Sequence, residues 1–243
     1  MFPSHRPNVA FAGLTAAGKT THARRLAADL GYDYVSATDV MLAILGIDTP
    51  SDGVWFERFD EIQAARRGDA ADAELDRHLV ALAATRQGTV FDTWALAWLS
   101  PSPMVRIWIE SDLESRARKC LVSQERTRLS LRDCRELVRA KDHDTRDRFV
   151  RRHGFDLFTD RARYDLIVCN SHLIPAADRE CADAGIAIFT PVVREAVTGV
   201  LQSRPHAELA RIAARYPAEI LRIGPRRLAA GAEQETAPDS ESR

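Results

Sequence analysis

Residues Gly13-Leu14-Thr15-Ala16-Ala17-Gly18-Lys19-Thr20 constrain this chain more than any other stretch. They follow the pattern G-x-x-x-x-G-K-[ST], which folds as a loop around phosphate groups. Gly13 and Gly18 let the backbone turn tightly and aim N–H groups inward, with no Cβ in the way of an anion. Lys19 brings a point charge for terminal phosphates, and Thr20 a hydroxyl for Mg2+. A helix starting here adds the positive end of its dipole. The flanks have the required order. Asn8 to Ala12 reads as a buried strand, and Ala23, Leu26, Ala27 and Leu30 share one helical face that ends at Gly31. The expected nucleotide contacts are Gly13, Thr15, Ala16, Ala17, Gly18, Lys19, Thr20 and Thr21.

The rest of the chain alternates in the same way. Strands are expected at Tyr32–Ser36, Gln87–Asp92, Met104–Ile109 and Tyr164–Cys169. Between them lie helices from Asp39 to Ile44, Val54 to Arg67, Asp69 to Arg86 and Ser111 to Ser123, then a long charged helix ending near Arg152. Alternation of this kind predicts an α/β P-loop fold, a five-stranded parallel sheet with helices on both faces. Residues 1–175 form the expected core. Residues 176–225 form a C-terminal helical extension packed on it, clearest over Val192–Leu201 and Ala207–Tyr216, although Ile186–Phe189 also suits a short strand. The Gly, Ala, Glu and Ser content of residues 226–243 predicts a disordered tail.

Composition narrows the partners. With 34 basic and 35 acidic residues the net charge is -1, which gives no overall pull towards nucleic acid or a membrane surface. No apolar run reads as long enough to span a bilayer, and the first seven residues lack the apolar core of a signal peptide. Cys120, Cys134, Cys169 and Cys181 have no C-x-x-C spacing and read as buried free thiols. A cytoplasmic enzyme, monomeric or a homodimer, is the expectation.

Several residues could carry chemistry. Asp92 ends a strand expected beside the phosphate loop, where a carboxylate can hold a Mg2+-bound water. Asp39 follows the second strand; it either faces the cleft and works on an acceptor hydroxyl or caps its helix. The run Arg116, Arg118, Lys119, Arg126, Arg128 and Arg132 offers cations to close over a phosphoryl group, with interspersed acids arguing for a solvated face at most positions. Arg116, nearest the strand turn, is the choice. Lys141, Thr145 and Arg148 share a helical face, and the alternating charges around them favour a surface helix over a cleft wall. Trp55, Phe56 and Phe59 suit a base stack or, more commonly, a core. The histidines have no metal-ligand spacing.

Together these stretches resemble the cytidylate kinases, in particular their compact archaeal-type form, among the P-loop nucleoside monophosphate kinases. The likeness runs from Val9 to Ser171. It rests on Gly13–Thr20, Tyr34–Asp39, the strand ending at Asp92, Asp112–Ala117, Arg148 with His153–Asp156, and Tyr164–Ser171. The resemblance implies ATP with Mg2+ as donor, a lid over residues 117–135, and an acceptor cleft between the second strand and residues 54–86. It implies an adenine-side contact at Ser171, a lid arginine at Arg116 and an acceptor-side arginine at Arg148.

The departures from that family lie on the acceptor side. Thr38 stands for a Gly, Leu42 for a phosphate-gripping Arg, Thr93-Trp94 for Gly-Arg, Lys141 for an Arg and Thr145 for an Asp. Each charge-assisted contact of this kind is worth about 1.5–3 kcal/mol, so losing two would weaken a dianionic acceptor roughly a hundredfold unless Arg58, Arg66 or Arg67 substitutes. Three functions follow. The chain phosphorylates a nucleoside monophosphate such as CMP or dCMP. Or it phosphorylates a hydroxyl of a small metabolite or nucleoside, with Leu42 and Trp94 as an apolar wall. Or it binds ATP without transferring anything. Intact Lys19, Thr20 and Asp92 argue against the last.

Overall fold

Gly13 has no room for a side chain: a Cβ there would lie 2.8 Å from the Ile109 carbonyl oxygen. That close approach seats the end of the first strand against its neighbour and sets the phosphate loop at the sheet's carboxyl edge. The computed structural model describes residues 6–48, 59–66, 68–124 and 129–224. Trp55, Phe56, Arg58, Arg67, Arg126, Arg128, part of the expected lid and residues 226–243 lie outside them, as does the side chain of Phe59.

The strands are β1 (Asn8–Gly13), β2 (Asp33–Ser36), β3 (Thr89–Asp92), β4 (Met104–Glu110), β5 (Leu166–Cys169) and β6 (Ile220–Ile223). The helices, among the described residues, are α1 (Lys19–Leu30), α2 (Ala37–Ile44), α3 (Phe59–Ala65), α4 (Ala70–Thr85), α5 (Leu96–Leu99), α6 (Leu113–Val122), α7 (Leu131–His153), α8 (Arg179–Leu201) and α9 (His206–Arg215). The sheet has six strands in the order β2-β3-β1-β4-β5-β6. β1 to β5 are parallel. The expected five-stranded sheet is therefore extended: β6 adds an antiparallel edge beside β5. Its four residues carry no alternating pattern that would announce a strand, and only the return of the chain from α9 brings them to that edge.

The residues from 179 onward share the main core. Phe189, Val192, Val193, Ala196 and Val197 of α8 and Leu209 and Ile212 of α9 pack with Val9, Phe11, Ile107 and Val168 of the sheet. Ile186–Phe189 is thus helix, not strand, because its apolar positions continue the buried face of α8. α8 has 23 residues and is long and apolar enough to cross a bilayer by length and composition, contrary to the sequence expectation. Here that apolar face covers the sheet. Caps delimit the helices near the cleft. Asp112 Oδ1 accepts from Ser115 N–H at 2.7 Å at the start of α6, and Ser130 and Asp133 form a capping box at the start of α7.

Candidate active site

The phosphate loop joins β1 to α1, with Gly18 at φ 96° as the N-cap and Ala16 at φ 60° at its apex. A non-glycine residue in the left-handed region costs about 1–2 kcal/mol, a strain the loop shape imposes on Ala16. Lys19 donates to the carbonyls of Gly13 and Leu14, both at 2.9 Å. Its ammonium lies 4.8 Å from the centre of the Trp94 ring. Burial lowers its pKa to about 8, opposed by the charges of Asp92 and Asp142.

Asp92 ends β3, in register with Phe11 on β1 and Ser36 on β2. Its Oδ2 accepts from Thr20 Oγ1 at 2.5 Å and from the Tyr34 hydroxyl at 3.2 Å. Burial first, then the nearby Asp92 charge, pushes the Tyr34 phenol up and keeps it a donor. Thr20 and Asp92 are thus side by side, a hydroxyl and a carboxylate, hard oxygen donors of the type Mg2+ takes when phosphates and waters complete its shell.

A cavity of about 500 Å3 opens over this loop. Thr15, Ala16, Ala17, Gly18, Lys19, Thr20 and Thr21 line it, together with Asp92. Its far end is apolar, built by Val122, Leu173, Ile174, Ala182, Ile186 and Phe189. α8 therefore supplies one wall. His22 packs edge-on against Phe189, ring centres 4.8 Å apart, and burial lowers its pKa to about 3, so it is neutral. Lys119 is the cation of α6 that reaches this cavity. It donates to Ser111 Oγ at 2.8 Å and Asn170 Oδ1 at 2.5 Å, and burial lowers its pKa to about 7.

A second, smaller cavity of about 100 Å3 adjoins the first; Ala37, Thr38, Trp94 and Lys141 line both. Its cations are Arg66, Lys141, Arg148 and Arg152, and its carboxylates Asp72 and Asp76. Asp72, 2% exposed, accepts from Arg66 Nε at 3.1 Å and Arg148 Nη1 at 3.2 Å. Arg148 also donates to Asp144. Asp76 accepts from Arg152 and lies 3.0 Å from His153 Nε2. Burial, then the like charges of Lys19 and Arg66, lowers the Lys141 pKa to about 7. The face bearing Lys141, Thr145 and Arg148 is thus a cleft wall rather than a solvated surface. Charge alternation alone could not separate the two, because α3 and α4 arrive from elsewhere in the chain to cover it.

Five expected positions sit elsewhere, the first being Gly13, which lines neither cavity and whose carbonyl accepts from Lys19. Asp39 is exposed, lines neither cavity and is not the cap of α2: Ser36 Oγ caps it, accepting from Asp39 N–H at 3.2 Å. The spacing Ser36-x-x-Asp39 carries that signal in the sequence. Leu42 packs with Ile62, and Met41 takes its place in the cavity wall beside Trp94. Ser171 lines neither cavity; its hydroxyl accepts from Asp112 N–H at 2.8 Å, and the neighbouring Asn170 faces the nucleotide side. Arg116, 6% exposed, lines neither cavity. It donates to the carbonyls of Ser111 at 3.1 Å and Thr15 at 3.2 Å and pairs with Asp142. Lys119, one turn along the same helix, faces the cavity instead.

The family model for the cytidylate kinase-like family matches residues 8–172. The chain belongs to this family. It is similar to the cytidylate kinase of Natronomonas pharaonis, 25% identical over 193 residues that cover 79% of this chain and 95% of that protein. Similarity to the cytidylate kinase of Pyrobaculum aerophilum is 29% over 175 residues, covering 68% and 84%. Among solved structures, the shikimate kinase from Bacteroides thetaiotaomicron superimposes with a TM-score of 0.45 at 12% identity, over 77% of this chain and 98% of that one. Membership in the cytidylate kinase-like family makes the chain a kinase.

Proposed function

We propose that the protein transfers the terminal phosphoryl group of ATP to a nucleoside monophosphate, CMP or dCMP foremost. The observation that carries this is the junction of the two cavities at Thr38, Trp94 and Lys141, with the phosphate loop on one side and four cations on the other. The larger cavity suits a nucleotide whose base lies in the apolar end between Ile174 and Phe189. Arg66 lines the smaller one and is the cation that would meet an acceptor phosphate in the absence of an arginine at Leu42. Lys19 leaves the Gly13 and Leu14 carbonyls for phosphate oxygens, a charge-assisted exchange. Lys141 sits between donor and acceptor and offsets charge as the phosphoryl group passes. Thr20 and Asp92 would hold Mg2+, directly and through a water; the ion supplies charge neutralisation on the phosphates. The reading goes with a cytoplasmic enzyme acting on small molecules.

One observation favours the second reading, a hydroxyl acceptor without a phosphate. The smaller cavity holds about 100 Å3, closer to a small polyol than to a nucleotide, and Arg66, Arg148 and Arg152 already face carboxylates. A panel decides: ADP release with CMP, dCMP, UMP, AMP and with shikimate-like and aminoglycoside-like alcohols, wild type beside Lys19→Ala. Turnover with CMP or dCMP is expected, and its loss in the variant. Turnover with an alcohol alone sinks the nucleotide reading, and an unaffected variant removes the phosphate loop from the chemistry.

A further inference from the structure

The phosphate loop already holds an anion of its own. Asp142, on α7 beside Lys141, sends its carboxylate into the loop: Oδ1 accepts from Thr15 N–H at 2.9 Å and Oδ2 from Arg116 Nη1 at 2.5 Å. The side chains of Arg116 and Asp142 are 7% and 16% exposed, so the pair is only weakly screened. The carboxylate charge reaches Lys19, where it favours the protonated ammonium. Three groups that would serve a phosphate therefore feel one acidic side chain: a loop N–H, a guanidinium and the loop lysine. The contact spans 127 positions of sequence, so nothing local to the loop requires it.

We propose that Asp142 is an anion of the protein's own that competes with the nucleotide for the phosphate loop. It keeps Arg116 turned away from the nucleotide cavity and gives the guanidinium up when a nucleotide triphosphate arrives, so that Arg116 joins the phosphates. This rests on the donor-site reading above. The carboxylate makes two contributions of the same sign. It repels an incoming polyanion, and it holds a cation the polyanion could use. Neutralising Asp142 therefore tightens nucleotide binding. A carboxylate that merely braced the loop would have the opposite sign: its removal would loosen the loop and weaken binding.

Asp142→Asn tests the sign, because an amide oxygen can still accept from Thr15 N–H while the charge is gone. ATP binding is measured by titration calorimetry on the full chain, which requires no knowledge of the acceptor. The expected result is at least threefold tighter binding than wild type, with the gain falling below twofold when Arg116→Gln is added to both. Asp142→Ser, smaller and still an acceptor, is measured in parallel in case the amide variant does not fold. Equal or weaker binding in a folded variant overturns the inference while leaving the donor site standing. A wild-type chain that binds no ATP overturns the donor site and, with it, this proposal.

Discussion

Gly185→Ala probes whether α8 really forms a wall of the nucleotide cavity. Gly185 is buried in the middle of α8 at an ordinary helical φ. On helix propensity alone, alanine would stabilise the chain by about 1 kcal/mol. Tertiary contact opposes this. An added Cβ would lie 2.5 Å from the Leu173 carbonyl oxygen and 3.1 Å from Ile174 Cγ1. The first neighbour is backbone, in a turn closed by Leu173 N–H donating to the Asn170 carbonyl at 3.3 Å, so it cannot swing aside as a side chain would. Relief requires α8 to move away from residues 171–174 by roughly 0.7–0.9 Å, and because the neighbour is backbone the overpacking cost lies in the upper part of the usual range, about 2–3 kcal/mol. The clash outweighs the propensity gain, for a net loss of about 1–2 kcal/mol. In a chain of this size that lowers Tm by roughly 2–8 °C, read by circular dichroism. The shift also widens the base end of the cavity between Ile174 and Ile186, so ATP should bind roughly three to ten times more weakly. A variant with unchanged or raised Tm would show that helix and turn do not touch as described. Lower Tm with unchanged ATP affinity would refute α8 as a wall of the donor site.

Two further perturbations address the smaller cavity and the buried lysines. Asp72→Asn leaves the buried guanidiniums of Arg66 and Arg148 without their shared carboxylate. We expect a loss of about 2–3 kcal/mol in thermal or urea unfolding, with tighter binding of CMP; a stability change below about 0.5 kcal/mol would mean the cluster is not formed. Burial holds Lys19 near 8 and Lys119 and Lys141 near 7, all below the ordinary lysine value. A bound triphosphate favours their charged forms, so binding between pH 7.5 and 9 takes up protons and weakens as pH rises, at most roughly tenfold per pH unit per proton. Calorimetry in two buffers of different ionisation enthalpy reads the uptake, and a pH-independent Kd over that range would contradict the buried placement.

The sequence by itself determined the phosphate loop and its place between β1 and α1. A phosphate loop is a short-range object: Gly13 to Thr20 follow one another, and the turn is set by backbone freedom and the helix that begins there. For the same reason Asp92 could be placed beside Thr20, because a strand ending in a carboxylate needs only to be a neighbour of β1. The resemblance read from Val9 to Ser171 matches the span that the family model covers. What only the tertiary structure decided is which side chains on the long helices face inward. Arg116 and Lys119 are three residues apart on α6, and it is the packing of α6 against α7, with Asp142 waiting there, that turns the arginine into the loop and the lysine into the cavity. Likewise Asp72, Arg66 and Arg148 come from three separate elements and meet only because α7 runs alongside α4. Short-range geometry is written in consecutive residues, whereas the partner of a buried charge is chosen by whichever element folds over it.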